Sequence, residues 1–199
     1  MFYEPQAGHG LPHDPFKAIV APRPIGWIST VNEEGQPNLA PYSFFNALSS
    51  HPPMVGFSSE GMKDTPRNAR ITREFVFNLA TLPLARAMND SAATLPHGES
   101  EFEFAGLDFI PSDSVRPPRV AGSPAALECR VVDCIELHDL EGRALDRHLI
   151  VGQVVGVHID DAFLCEGRFD TAAAQALARC GYRDYVAVRE VFELLRPGE

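Results

Sequence analysis

The chain has 199 residues, 45% of them hydrophobic, with 27 acidic against 17 basic side chains and a formal charge of −10 at neutral pH. This length predicts a single domain over residues 1–199, able to bury roughly 70% of its unfolded surface without staples. The acidic balance disfavours nucleic acid and anionic lipid as partners and makes local basic spots such as Lys63 and Arg67 conspicuous.

Along the chain, the opening MFYEPQAGHG lacks a basic region followed by an apolar run, so no secretory signal is read there and a cytoplasmic location is expected. Residues 26–31 (GWISTV) and 39–45 (LAPYSFF) alternate like strands and flank a polar loop with Gly35 and Pro37, predicting a hairpin. Pro41 lacks an N–H, which assigns the second arm to a sheet edge or bulge where backbone groups stay free for a ligand. His51-Pro52-Pro53 breaks the chain before a short strand at 54–57. Four prolines within the uncharged stretch 36–59 exclude a transmembrane helix. Ser58, Ser59 and Lys63 follow, then Thr65 as a predicted N-cap with Pro66 at the first helical position, a turn whose free amides favour an anion. Flat apolar surface beside hydroxyls, a lysine and a helix start suggests a planar ring with a phosphate tail, hence a flavin nucleotide.

Helices are predicted over 84–93 and 170–178, strands over 125–137 and 149–159, and a surface connection over the Pro-rich 111–124. Strands thus dominate, with a few inserted helices, predicting a β-barrel-based fold. Glu101 and Glu103 alternate with Phe102 and Phe104 as in an exposed amphipathic segment, and no catalytic role is assigned to them. Cys129, Cys134, Cys165 and Cys180 contain no C-x-x-C pair and are expected to be buried free thiols, with neither disulfide nor zinc site. His148 and His158 lie ten residues apart on one predicted strand and form no compact metal site alone. Residues 56–63 (GFSSEGMK) miss both the P-loop and the nucleophile elbow, and no G-x-G-x-x-G fingerprint is present.

Three stretches carry a resemblance: Arg23 to Thr30 (RPIGWIST), Asn38 to Asn46 (NLAPYSFFN), and Ser58-Ser59 followed by Lys63-Asp64-Thr65 and Asn68. They resemble the flavin reductase-like proteins with the FMN-binding split-barrel fold. The similarity continues through 100–107, 127–129 and 148–154 and closes over 179–186, covering nearly the whole chain. The resemblance implies a mainly β split barrel with inserted helices, and FMN whose ring edge meets Ser29, Thr30, Asn38, Ala40, Pro41, Tyr42, Ser43, Phe44, Phe45 and Asn46. Trp27 would wall the ring. The phosphate would lie between Ser58, Ser59, Lys63 and Thr65, with Lys63 making the strongest bond, and Asp64 and Asn68 belong to the same flavin-binding motif.

By the same resemblance, His148 sits near the nicotinamide of NADH or NADPH, while Arg179 and Tyr185 fall near the flavin. The activity implied is hydride transfer from NAD(P)H to flavin, as in the reductase component of a two-component monooxygenase. The expected assembly is a homodimer with an oxygenase or other electron acceptor as partner. The alternatives are a bound-FMN electron carrier of the flavoredoxin kind and a non-enzymatic flavin-binding module.

Overall fold

The computed structural model describes residues 1–96 and 99–198. Its centre is a seven-stranded antiparallel sheet built from β2 (Gly26–Val31), β3 (Pro37–Tyr42), β4 (Phe45–Ser50), β5 (Pro53–Glu60), β6 (Glu74–Leu79), β9 (Ala125–His138) and β10 (Ala144–Ile159), in the order β3-β2-β6-β9-β10-β5-β4. The short strands β1 (Arg23–Pro24), β13 (Leu177–Arg179) and β14 (Tyr185–Ala187) form a second sheet. Two-residue pairs join β7 (Phe109–Ile110) to β8 (Arg119–Val120) and β11 (Leu164–Cys165) to β12 (Arg168–Phe169). The α-helices are α1 (Phe16–Ile19), α2 (Asp64–Thr72), α3 (Ala85–Asp90), α4 (Glu101–Phe104) and α5 (Thr171–Ala174).

The end strands of the large sheet, β3 and β4, are consecutive in the chain and separated only by Ser43 and Phe44. So short a link forces the sheet to curl until its two ends share a corner. The ends do not pair with each other, leaving a barrel split at that seam. The β4–β5 pairing continues one rung into this link, the Ser58 amide donating to the Phe44 carbonyl at 2.8 Å.

All six residues of β2 are buried, because both of its faces are covered. Ile28 joins the barrel interior with Val55, Phe57, Phe75, Ile150 and Val154. Trp27 and Ile25 pack outward against Leu39, Met88, Phe102, Val120 and Leu177, a layer supplied by β3, α3, α4, β8 and the second sheet. Aromatic contacts knit the interior: Phe57 meets Phe75 edge-on at 5.4 Å, and Phe45 stacks on Phe77 at 4.7 Å. Gly152 lies where any Cβ would overlap the Phe75 ring, so the bulge beside it lets β10 cross the core closely.

Several elements depart from expectation. The second hairpin arm ends at Tyr42, not Phe45, because Phe45 pairs with Phe57 and belongs to the next hairpin. Strand β5 runs on through Ser58 and Ser59 instead of stopping at residue 57. Lys63, not Thr65, is the N-cap of α2, and Pro66 is its third residue, still within the first turn where a missing N–H breaks no helical bond. The predicted helices shorten to α3 and α5, the latter ending at Ala174, after which Gln175, with a φ of 51°, turns the chain towards β13. Asp170 caps α5 by accepting from the Ala172 and Ala173 amides.

The 111–124 connection is more than surface chain. Val115, Pro117, Pro118 and Val120 are buried within it. Ser29 Oγ donates to the Pro118 carbonyl, and Asn78 Oδ1 accepts from the Val120 amide at 2.8 Å. All four cysteines are free as expected, but only Cys129 is buried, and Cys165 is exposed. No helix among the described residues is long and apolar enough to cross a membrane.

Candidate functional site

A cavity of about 790 Å³ opens at the seam of the barrel. Its floor is the edge strand β3 and the Ser43–Phe44 bend, its side is the end of β5, and its far end is the first turn of α2. The sequence dictates this placement, because Pro41 forbids a further strand beyond β3. The Leu39 amide, pointing off the sheet, is taken by Glu101 Oε2 at 3.2 Å. Pro41, two residues on, has no amide, so by strand alternation this edge presents carbonyl acceptors.

At the far end, α2 begins without a side-chain cap. Its first intrahelical bond runs from the Arg67 amide to the Lys63 carbonyl, and Pro66 has no N–H, which leaves the Asp64 and Thr65 amides at the helix start. Lys63 is exposed and, among the described residues, takes no ion-pair partner. Ser59 and Thr65 are buried and already engaged: Ser59 Oγ donates to the Gly61 carbonyl at 3.1 Å, and Thr65 Oγ1 accepts from Asn38 Nδ2 at 2.8 Å. Tyr42 bonds to both hydroxyls, and burial pushes its phenol above the usual tyrosine range. These groups form a fixed polar wall, leaving Ser58, Lys63 and the helix amides as the donors free for an anion.

Of the residues proposed from the sequence, Asn38, Ala40, Pro41, Tyr42, Ser43, Phe44, Ser58, Ser59, Lys63, Asp64 and Thr65 line this cavity. The others do not. Trp27 is fully buried and cannot wall a ring with its side chain; its Nε1 donates to Ser91 Oγ at 2.9 Å and so holds the cavity-lining Ser91–Leu95 segment from behind. Ser29 and Thr30 are buried within β2, and Thr30 Oγ1 accepts from Asn68 Nδ2 at 3.3 Å. Phe45 turns onto Phe77, while Asn46 is exposed on β4. Arg179 stacks on Tyr185 at 4.3 Å across the second sheet, a cross-strand pair away from the cavity lining. His148 lies opposite Ser59 in the β10–β5 ladder, 3.4 Å from Asp146, and is not among the cavity-lining residues.

Sequence reasoning missed Lys17, Glu60, Ser91–Leu95, Glu101, Leu137 and Arg147, all of which line the cavity. Lys17 sits 6.0 Å from the centre of the Phe44 ring, with Arg23 on the same ring at 5.9 Å. The Arg23 guanidinium holds the Lys17, Val20 and Cys180 carbonyls, fixing α1 against the second sheet. Arg147 pairs with Glu60 at 2.9 Å through the β10–β5 register. Burial raises the Glu101 carboxyl above its ordinary range, and Asp64 adds repulsion, while amide bonds from Leu39 and from Glu101 itself pull the other way.

The fit to a flavin nucleotide rests on this donor set: a half-exposed Phe44 beside carbonyl acceptors at one end, and a lysine, a hydroxyl and uncapped helix amides at the other. The volume lies within the range of small-molecule sites.

Comparison with known proteins gives the same answer. Residues 20–172 match the model of the flavin reductase like domain. The uncharacterized protein BH2278 of Halalkalibacterium halodurans is 37% identical over 183 residues, covering 89% of this chain and 87% of that protein. The structure of nitrilotriacetate monooxygenase component B from Bacillus cereus superposes with a TM-score of 0.87 at 31% identity, covering 98% of each chain. A protein from Shewanella frigidimarina described as a flavin reductase with a split barrel domain shares the fold, with a TM-score of 0.81 at 22% identity over 92% of this chain and 90% of that one. The split barrel, the seam cavity and these matches together place the chain in the flavin reductase-like family.

Proposed function

We propose that the protein binds FMN in the seam cavity and reduces it with NADH or NADPH, acting as the reductase partner of an oxygenase. The observation that carries this reading is the convergence, in one cavity, of the β3 edge, the Ser43–Phe44 bend and the uncapped start of α2 beside Lys63. Lys63 and Ser58, with the Asp64 and Thr65 amides, would hold the phosphate by charge-assisted bonds, while Asn38, Tyr42, Ser59 and Thr65 keep the wall rigid. Phe44 and Pro41 would offer the apolar face for the ring. When bound, FMN supplies the hydride acceptor that none of the side chains provides.

His148, opposite the cavity-lining Ser59 in the β10–β5 ladder, would be the side chain nearest the nicotinamide. The homodimer is part of the proposal, supported by the apolar side chains Val132, Ile135, Val155 and Val157, which stand exposed along β9 and β10.

Anaerobic mixing of the FMN-loaded protein with NADH or NADPH tests the reading. Rapid bleaching of the flavin band at about 450 nm is the expected result. Retained colour with both donors overturns the reductase and leaves a carrier or binding protein.

A further inference from the structure

Lys17 lines the seam cavity from α1, at the end opposite Lys63, and phosphate binding gives it no task. It is exposed, its ammonium stands 6.0 Å from the centre of the Phe44 ring, and among the described residues it takes no ion-pair partner. Its place is fixed through the backbone, because the buried Arg23 guanidinium holds the Lys17, Val20 and Cys180 carbonyls and ties α1 to the second sheet. Arg23 bonds only to these carbonyls and approaches the same Phe44 ring at 5.9 Å, so two positive charges without a carboxylate partner converge there. The carboxylates lining the cavity are engaged. Glu60 pairs with Arg147 at 2.9 Å, Asp64 pairs with Arg67 at 2.7 Å, and Glu101 receives the Leu39 amide at 3.2 Å.

With the Leu39 amide taken and none on Pro41, the β3 edge meets a ring with acceptors and is short of donors. The pyrimidine edge of a flavin carries two carbonyl oxygens that need donors. The charge of reduction also collects along that edge. A hydride leaving a neutral dihydronicotinamide brings two electrons and one proton, the nicotinamide departs as a cation, and one net negative charge stays on the ring. We propose that Lys17 is the cation for this edge, donating to a ring carbonyl and favouring the reduced, anionic flavin over the oxidised one. The proposal rests on the flavin reading above.

Two measurements on FMN-loaded protein test it, and neither is an activity. One is the pH at which the oxidised flavin imide loses its proton, followed by absorbance; the other is the midpoint potential. An opposite charge at about 4–6 Å moves a titration by about 1–3 units. From its exposed position Lys17 should give the low end of that range, so Lys17→Met should raise the imide pKa by about one unit. The matching tenfold loss of preference for reduced flavin places the midpoint about 30 mV lower. Lys17→Glu should exceed Lys17→Met in both measurements, and Lys17→Arg should return both to wild type. Lys63→Ala, at the phosphate end, should weaken FMN binding and move neither.

The Lys17 side chain is exposed, so its variants leave the core untouched. A bound flavin that titrates and reduces in Lys17→Met as in wild type overturns the role of Lys17 and leaves the flavin reading standing. Equal shifts in Lys17→Met, Lys17→Glu and Lys17→Arg overturn it as well, because they follow displaced structure and not charge. Failure of the wild-type protein to bind FMN overturns the flavin reading and the role of Lys17 with it.

Discussion

At the seam cavity and beneath the 111–124 connection, the protein withdraws a glutamate from water, and the two carboxyls shift in opposite directions. Glu101 is desolvated with only amide bonds from Leu39 and its own backbone to offset the loss, and its carboxyl is held above the ordinary range. Glu128 is fully buried, which by itself opposes its charge. The Asp113 amide at 2.8 Å, the Ser114 amide at 2.6 Å and His158 Nε2 at 2.5 Å outweigh that burial and hold its carboxyl below the usual range. Gly156 makes room for this carboxylate, since a Cβ there would stand 3.3 Å from it. Asp113, Glu128 and His158 bring ligand atoms within 4.8 Å of one another, yet both Glu128 oxygens are already occupied by protein donors. A saturated carboxylate fastens structure, whereas one with spare capacity beside a cavity remains available to a ligand.

The sharpest way to break this comparison is Glu128→Ala. It strands two amides and an imidazole under the connection, and a loss of about 3–5 kcal/mol in urea-unfolding free energy is expected. FMN affinity of the folded variant should be unchanged. A loss under about 0.5 kcal/mol, within the range of a plain surface substitution, would show that Glu128 fastens nothing.

Lys63→Ala combined with Ser58→Ala should do the reverse. The charged bond from Lys63 is worth about 1.5–3 kcal/mol, so FMN binding should weaken by roughly 10- to 150-fold while the unfolding midpoint and riboflavin affinity barely move. Equal weakening of FMN and riboflavin would remove these residues from the phosphate.

The same contrast explains what the sequence made legible. The β2–β3 hairpin and the Ser58-to-Thr65 cluster are local: strand alternation, a proline-marked edge and a helix start all lie within a few residues of one another. Lys17, Ser91, Glu101 and Arg147 reach the cavity by long-range contacts. Examples are Arg23 bonding to the Cys180 carbonyl at 3.0 Å, Trp27 to Ser91, Leu39 to Glu101, and Arg147 to Glu60 across the ladder. No periodicity encodes these. Trp27 illustrates the opposite error: beside a ligand-like motif a lone tryptophan invites a binding role, but alternation along β2 sends it into the outer core layer with Met88 and Phe102. The boundary at Tyr42 was equally hidden, because 39–45 reads as one apolar run although the chain changes sheet ends at Ser43.

The smallest effect, and the one that most directly separates the two carboxylates, is in acid. Glu128 has a depressed folded pKa, so its contribution is present above the unfolded value of about 4.3 and is lost as pH falls through the lower folded value. Glu101 has a raised folded pKa, so its contribution is present below about 4.3 and is lost as pH rises through the higher folded value. The two slopes oppose each other. Glu128→Gln should therefore flatten the acid limb of the stability curve. Glu101→Gln should flatten the stretch between pH 4.3 and neutrality, gaining less than about 1 kcal/mol at pH 7 because the site is half open to screening solvent. Urea unfolding at several pH values reads both. Parallel curves for wild type and Glu101→Gln would mean that this carboxyl feels no more than ordinary surface water, and the electrostatic distinction between cavity and anchor would fall.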